Sequence, residues 1–316
     1  MNDLNDVRPS SISHIVGQAM AVEQIKVALD AAQQDARKFD HALLVGPPGI
    51  GKTAAAQVIA AEMAGDCFDV LGQSLRSTAD LNALLLQATE RAVVFIDEAH
   101  ELPKQLQTTL YLALDQKRIL LPGSRKGNVV ASIPISDFTL LLSTTDEFQL
   151  LQPLRDRMRL VLRFAFYSDE ELTILVRQRV RALGWEVDDE LYPSIASRSR
   201  GTPRLALRLL TAAHRCSRSV GENIVTAEHL DRACSLEEID ALGLGVVEQK
   251  YLEILADGPT RLNVIASQLG LPARTISEVT EPFLIRVGLV TKDGLGLRLL
   301  TARGVEHVGI RRNKRV

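Results

Sequence analysis

Ala42-Leu43-Leu44-Val45-Gly46-Pro47-Pro48-Gly49-Ile50-Gly51-Lys52-Thr53 sets the fold, because a short apolar run breaks there into a G-x-x-x-x-G-K-T loop. Gly46, Gly49 and Gly51 let backbone N–H groups turn inward around a phosphate chain. Lys52 reaches the β- and γ-phosphates, and the Thr53 hydroxyl suits Mg²⁺. The alanine-rich segment beginning at Ala54 favours a helix, so its first amides and its dipole face the same anion. Strand, loop and helix in that order imply an α/β nucleotide-binding core with ATP and Mg²⁺ as ligands.

Downstream, Ala92-Val93-Val94-Phe95-Ile96 is continuously apolar, as expected of a strand buried on both faces of a parallel sheet, and it ends in Asp97-Glu98. Open α/β sheets bind ligands at the carboxyl ends of their strands, so Asp97 suits Mg²⁺ support and Glu98 suits proton removal from an attacking water. A further apolar strand, Phe138 to Leu142, ends in Ser143-Thr144-Thr145, hydroxyls placed to sense a γ-phosphate or to orient water. Between these strands, residues 117–137 read as a β-hairpin with one apolar face that includes Ile133 and Ile135.

Composition narrows the class. The 316 residues exceed one average domain. Aromatic residues make up only 4%, so the cores are built from aliphatic side chains in helix-rich packing. With 37 basic and 39 acidic residues and a net charge of −2, any nucleic-acid contact must be local. Cys67, Cys216 and Cys234 lack metal-site or disulfide spacing and are expected to be small buried hydrophobes. No apolar run reaches the ~20 residues of a membrane span, which points to a soluble, cytoplasmic protein.

From residue 167 the pattern is helical. Ser168-Asp169-Glu170-Glu171 reads as a capping box, and helices are expected near 169–183, 188–198, 202–219 and 226–236. The last segment reads as three helices followed by two short strands around a glycine turn, a winged helix, with Arg274, Lys292 and Arg298 as its candidate DNA contacts. The expected division is 1–166 for the nucleotide-binding domain, 167–240 for a helical lid and 241–316 for the winged helix.

Taken together, Arg8-Pro9, Val16-Gly17-Gln18, the phosphate loop, Phe95-Ile96-Asp97-Glu98 with His100, Pro153-Leu154-Arg155-Asp156-Arg157, Gly201-Thr202-Pro203-Arg204 and Glu281-Pro282-Phe283-Leu284-Ile285 resemble the RuvB family of AAA+ motors, which drive Holliday-junction branch migration. The resemblance implies an AAA+ P-loop core, a hexameric ring on duplex DNA and a RuvA-like partner. It places Val7 and Arg8 at the adenine and Tyr167 in the nucleotide pocket. Thr144 or Thr145 would sense the γ-phosphate and Arg204 would contact the phosphates in cis. Arg157 would be a finger reaching a neighbour's site, and Ile133 and Ile135 would contact the partner.

Three stretches depart from the family pattern. Asp146-Glu147-Phe148 follows the second threonine where the family starts with arginine, and the hairpin ends Ile135-Ser136-Asp137 in place of paired prolines. The wing carries Lys292-Asp293-Gly294-Leu295-Gly296-Leu297-Arg298 instead of an arginine-rich tip, which lowers the expected DNA affinity and its salt dependence. Two functions therefore stand: an ATP-dependent DNA motor, or an ATP-switched scaffold whose winged helix binds protein.

Overall fold

The computed structural model describes residues 9–121 and 131–314. Val7, Arg8 and the turn of the hairpin lie outside these residues. Backbone contacts divide the chain into two compact units. One holds the described residues up to Gly184 together with Gly201–Arg204; the other holds Trp185–Arg200 and the described residues from Leu205 on.

The first unit is built on strands β1 (Ala42–Val45), β2 (Cys67–Leu71), β3 (Val93–Asp97), β4 (Arg118–Leu121), β5 (Ala131–Pro134), β6 (Thr139–Thr144) and β7 (Leu160–Arg163). Five of them form one parallel sheet in the order β2-β3-β6-β1-β7. The inner strands β1, β3 and β6 are buried on both faces, which explains their unbroken apolar runs, whereas β2 at the edge alternates. Cys67 opens that edge strand and is exposed, so the expectation of three buried cysteines holds only for Cys216 and Cys234. Because β6 lies between β1 and β3, its carboxyl end stands between the phosphate loop and the two acids.

The hairpin forms as expected: β4 and β5 pair antiparallel with Ile119 opposite Ile133. Ile119 is buried, and Ile133 and Ile135 pack half-buried on the unit's own core. The apolar face is thus partly covered from within, with the two isoleucines proposed to contact a partner half-buried on the unit's own core. The helix Asp169–Leu183 starts with the expected capping box: Ser168 Oγ accepts from Glu171 N at 3.1 Å, and a Glu171 carboxylate oxygen accepts from Ser168 N at 2.9 Å.

The second unit contains helices Leu191–Ser197 and Ala227–Leu236 and a short parallel pair, β8 (Glu186–Val187) with β9 (Ile224–Val225). The expected winged helix follows: helices Val246–Ala256 and Leu262–Leu269, a third helical run over 273–286, and an antiparallel wing of β10 (Val290–Lys292) and β11 (Arg298–Leu300). Tyr251, Leu252, Ile265, Ile276, Leu284 and Val308 form its core. The third helical run widens to a π-turn at Ile276–Thr280, just before Pro282. Proline cannot donate a backbone bond and its ring crowds the carbonyl four residues back, so a local widening accommodates it.

Candidate nucleotide site

The phosphate loop bends as its glycines require: Gly46, Gly49 and Gly51 have φ of 157°, 77° and 97°, values that side chains other than glycine rarely adopt. Gly51 caps the helix Lys52–Glu62, whose first amides open onto the loop. Lys52 is buried, and its ammonium donates to Gly46 O at 2.8 Å and Pro47 O at 2.9 Å. Burial lowers its pKa, nearby Glu98 and Asp97 pull it back up, and Arg204 adds to the lowering.

Across β6 from the loop, Thr53 Oγ1 donates to Asp97 Oδ2 at 2.9 Å. The other Asp97 oxygen accepts from Ser143 Oγ and from Glu98 N at 3.0 Å. A hydroxyl and a carboxylate facing each other make a hard-oxygen pair suited to Mg²⁺, which takes one or two protein oxygens and fills its shell with phosphate and water. Among the described residues, no group of three or more His, Cys, Asp or Glu side chains is placed to hold a metal ion.

Glu98 sits in the left-handed region with φ 50° and ψ 50°, so the chain turns sharply after Asp97 and points the two carboxylates differently. One Glu98 oxygen is buried without a hydrogen bond, 3.4 Å from His100 Nδ1. The same His100 nitrogen lies 3.1 Å from Thr144 Oγ1, which also accepts from Asp146 N at 3.0 Å. Thr144 is therefore fully buried and already engaged, while Thr145 is exposed. Adjacent residues of β6 thus hold adjacent acids: Ser143 on Asp97, and Thr144 through His100 on Glu98. The sequence reading grouped Ser143 with the two threonines as a hydroxyl at the strand end without seeing its bond to Asp97, and it gave His100 no role in the site. The Ser143–Asp97 and His100–Thr144 contacts each span more than 40 positions, so the sequence could not pair them.

Two further segments close the site. Tyr167 is buried, its N donates to Gly201 O at 2.9 Å, and its hydroxyl stands 3.8 Å from where a side chain on Gly51 would begin. Burial pushes that phenol up to about 12. Gln18 uses both ends of its amide on Ala165, donating to the carbonyl at 2.7 Å and accepting from the N–H at 2.9 Å, which pins the strand leading into Tyr167. Arg204 N donates to Gly49 O at 3.3 Å, bringing that arginine onto the phosphate loop.

Arg157 is not brought to this site. Its Nε donates to Asp115 Oδ1 at 2.6 Å and Nη2 donates to Oδ2, Nη1 donates to Pro153 O, and the guanidinium lies 4.9 Å from the Tyr111 ring centre. It borders a cavity of about 490 Å³ shared with Lys38, His41, Phe138 and Arg159, residues that precede β1, β6 and β7. This is the amino-terminal edge of the sheet, whereas the phosphate loop and Asp97 lie at the carboxyl edge. At ~3.3 Å per residue the two edges are about 15 Å apart.

Residues 7–164 match the family described as the Holliday junction DNA helicase RuvB P-loop domain, 167–240 the RuvB AAA lid domain, and 241–309 the RuvB C-terminal winged helix domain. A curated relative, the Holliday junction branch migration complex subunit RuvB of Kosmotoga olearia, is 34% identical over 311 residues, 97% of this chain and 91% of the relative. The chain belongs to the RuvB family. The solved structure of the Thermotoga maritima RuvB Holliday junction branch migration motor is similar, with a TM-score of 0.80 and 32% identity over 96% of this chain and 98% of that one. A variant of the same RuvB gives a TM-score of 0.84 over 96% and 99%. Membership makes the chain an ATP- and DNA-binding AAA+ protein of DNA recombination and repair.

For a RuvB winged helix, the candidate DNA contacts are occupied in an unexpected way. Glu281 is 0% exposed, and it takes Lys292 Nζ at 2.8 Å, Arg298 Nε at 2.7 Å and the Tyr251 hydroxyl at 2.9 Å. Burial opposes ionisation of Glu281, but the hydrogen bonds from Arg298, Lys292 and Tyr251 outweigh it and hold the carboxyl below its usual range. Both wing cations, the residues expected to contact DNA, are thus paired with an internal carboxylate, Lys292 with its side chain still 42% exposed. Arg274 pairs with Glu278 at 2.8 Å on the surface. At the tip of the wing, Leu295 is 87% exposed.

Proposed function

We propose that the chain hydrolyses ATP at the interfaces of a hexameric ring and passes the movement to duplex DNA at Holliday junctions, together with a RuvA-like partner, in the cytoplasm. The domain scheme 1–166, 167–240 and 241–316 goes with this reading, and the ranges of the three family matches support it. The observation that carries the assembly is the place of Arg157, at the opposite edge of the sheet from its own phosphate loop. A guanidinium there has no access to the site in its own subunit, so it serves a neighbour's.

In the ATP-bound site Lys52 leaves the loop carbonyls for the β- and γ-phosphates, and Arg204 adds a second cation. Thr53 and Asp97 would hold Mg²⁺, which when bound would supply charge neutralisation at the phosphate oxygens. Glu98 takes the proton of the attacking water, with His100 and Thr144 fixing its orientation. Thr145, exposed beside them, contacts the γ-phosphate. Val7 and Arg8 flank the adenine with Tyr167. Arg157 from the neighbouring copy compensates transition-state charge.

The second reading, an ATP-switched scaffold without DNA translocation, is favoured by the carboxylate partners of Arg274, Lys292 and Arg298. ATPase measurements with and without duplex and four-way-junction DNA over a salt series separate the two. A motor shows DNA-stimulated turnover that fades with salt and is lost in Glu98→Gln; a scaffold shows DNA-independent turnover.

A further inference from the structure

Arg200 immediately precedes the motif Gly201-Thr202-Pro203-Arg204, and the Arg200–Gly201 peptide bond is one of three, with Gly184–Trp185 and Arg204–Leu205, at which the chain passes between its two compact units. On the Gly201 side, the motif belongs to the nucleotide unit through the bonds to Tyr167 N and Gly49 O. On the other side, Arg200 is fastened to the winged helix. Its Nη1 donates to Glu248 Oε1 at 2.7 Å and its Nε donates to Gly243 O at 2.7 Å. Its guanidinium lies 4.9 Å from the Phe283 ring centre, and its carbonyl accepts from Arg286 Nη2 at 2.6 Å. Arg286 stacks on the same ring at 5.3 Å.

These attachments hold a strained backbone. Arg200 has φ 52°, a left-handed conformation that costs an arginine about 1–2 kcal/mol. Glu248 also caps the helix Val246–Ala256 by accepting from Gly245 N at 3.1 Å, so the guanidinium is tied to the start of the first winged-helix helix, and the stack on Phe283 ties it to the third.

The linker between the lid helices and the winged helix has little slack. Asp240 Oδ1 accepts from Leu242 N and Leu244 N, both at 2.9 Å, and Asp240 Oδ2 lies 2.9 Å from His307 Nε2. Gln249 Nε2 donates to Glu238 O at 2.8 Å and to Leu244 O at 2.6 Å. The bonded linker and the fastening at Arg200 are thus two separate ties to the winged helix.

We propose that Arg200 is the positioning residue that couples the phosphate-contacting motif Gly201–Arg204 to the winged helix. The inference rests on Arg204 contacting ATP. When Arg204 shifts with the γ-phosphate, the four-residue motif moves with it, and Gly201 passes the displacement over one peptide bond to Arg200, whose side chain delivers it to Glu248 and Phe283. The sequence shows only an arginine before a glycine; its partners lie 43 to 86 residues away.

Hydrogen exchange on the full chain with and without a non-hydrolysable ATP analogue and Mg²⁺ tests this. In the unsubstituted chain the analogue slows exchange over residues 46–56 and changes it over 246–256 and 281–286. Arg200→Ala retains the first effect and loses the second. Phe283→Leu, which keeps the Glu248 ion pair, weakens the second effect, and Arg200→Lys restores it only in part. A winged-helix response that persists in both Arg200→Ala and Phe283→Leu overturns the coupling. So does a protected phosphate loop with no winged-helix response in the unsubstituted chain, which leaves the ATP reading intact. An unprotected phosphate loop overturns both.

Discussion

Replacing Glu281 by glutamine removes the charge that now binds Lys292 and Arg298, without changing side-chain volume. Breaking a buried ion pair from one side costs about 3–5 kcal/mol, and the lower end applies because glutamine still accepts from Tyr251 and Arg298. For a module of this size each kcal/mol shifts the melting temperature by about 4–8 °C, so the winged helix should melt more than ~10 °C lower. The two released cations become available to phosphates, and each phosphate neutralised steepens the slope of log affinity against log salt by about 0.9, or about 1.8 for the pair. Between about 50 and 200 mM salt that amounts to roughly an extra tenfold loss of affinity on top of a tighter low-salt complex. Fluorescence titration of labelled duplex DNA over a salt series, beside thermal melts followed by circular dichroism, reads both effects. Glu281→Gln with unchanged melting and unchanged salt slope would refute the assignment of Lys292 and Arg298 to an internal carboxylate.

Other outcomes follow from the same geometry. Arg157→Ala should bind nucleotide normally in equilibrium titrations while its turnover falls by about 10³–10⁵, as for fingers supplied from a neighbouring subunit. His100→Ala should lower kcat by about 10–100-fold with little change in KM, since it removes the side chain that stands between Glu98 and Thr144 and fixes the orientation of Glu98. Ser168→Ala should cost about 1 kcal/mol in chemical denaturation through loss of the capping box. His41 is held to about 4, chiefly by burial and then by Lys38, so its neutral form is favoured in the folded state. The unfolded chain binds the extra proton first, so this stability is present above pH 6.5 and is lost as pH falls towards about 4. The loss is about 3 kcal/mol, and His41→Gln should flatten that limb of a pH-dependent denaturation series.

The features legible in the sequence are those fixed by neighbours in the chain. The glycines of the phosphate loop, the apolar run into Asp97 and the Ser168–Glu171 box each state their geometry within a few residues, and the structure has all three. The hairpin was legible as an apolar alternation, but alternation does not say what covers the face, and Ile133 and Ile135 lie on their own core. Charge is harder still to read. Lys292 and Arg298 look like phosphate contacts until Glu281, 11 and 17 positions earlier, is seen buried between them. Gln18 on Ala165, 147 residues apart, leaves no local trace, and neither does Arg157 on Asp115.

The most direct measurement mixes two inactive proteins, Lys52→Ala, which keeps its finger, and Arg157→Ala, which keeps its nucleotide site. If hydrolysis is completed between copies, random mixing joins an intact site to an intact finger at about a quarter of interfaces, and ATPase activity should return towards that fraction of the unsubstituted rate. A mixture as inactive as its components, or Arg157→Ala turning over ATP at the unsubstituted rate alone, would contradict it.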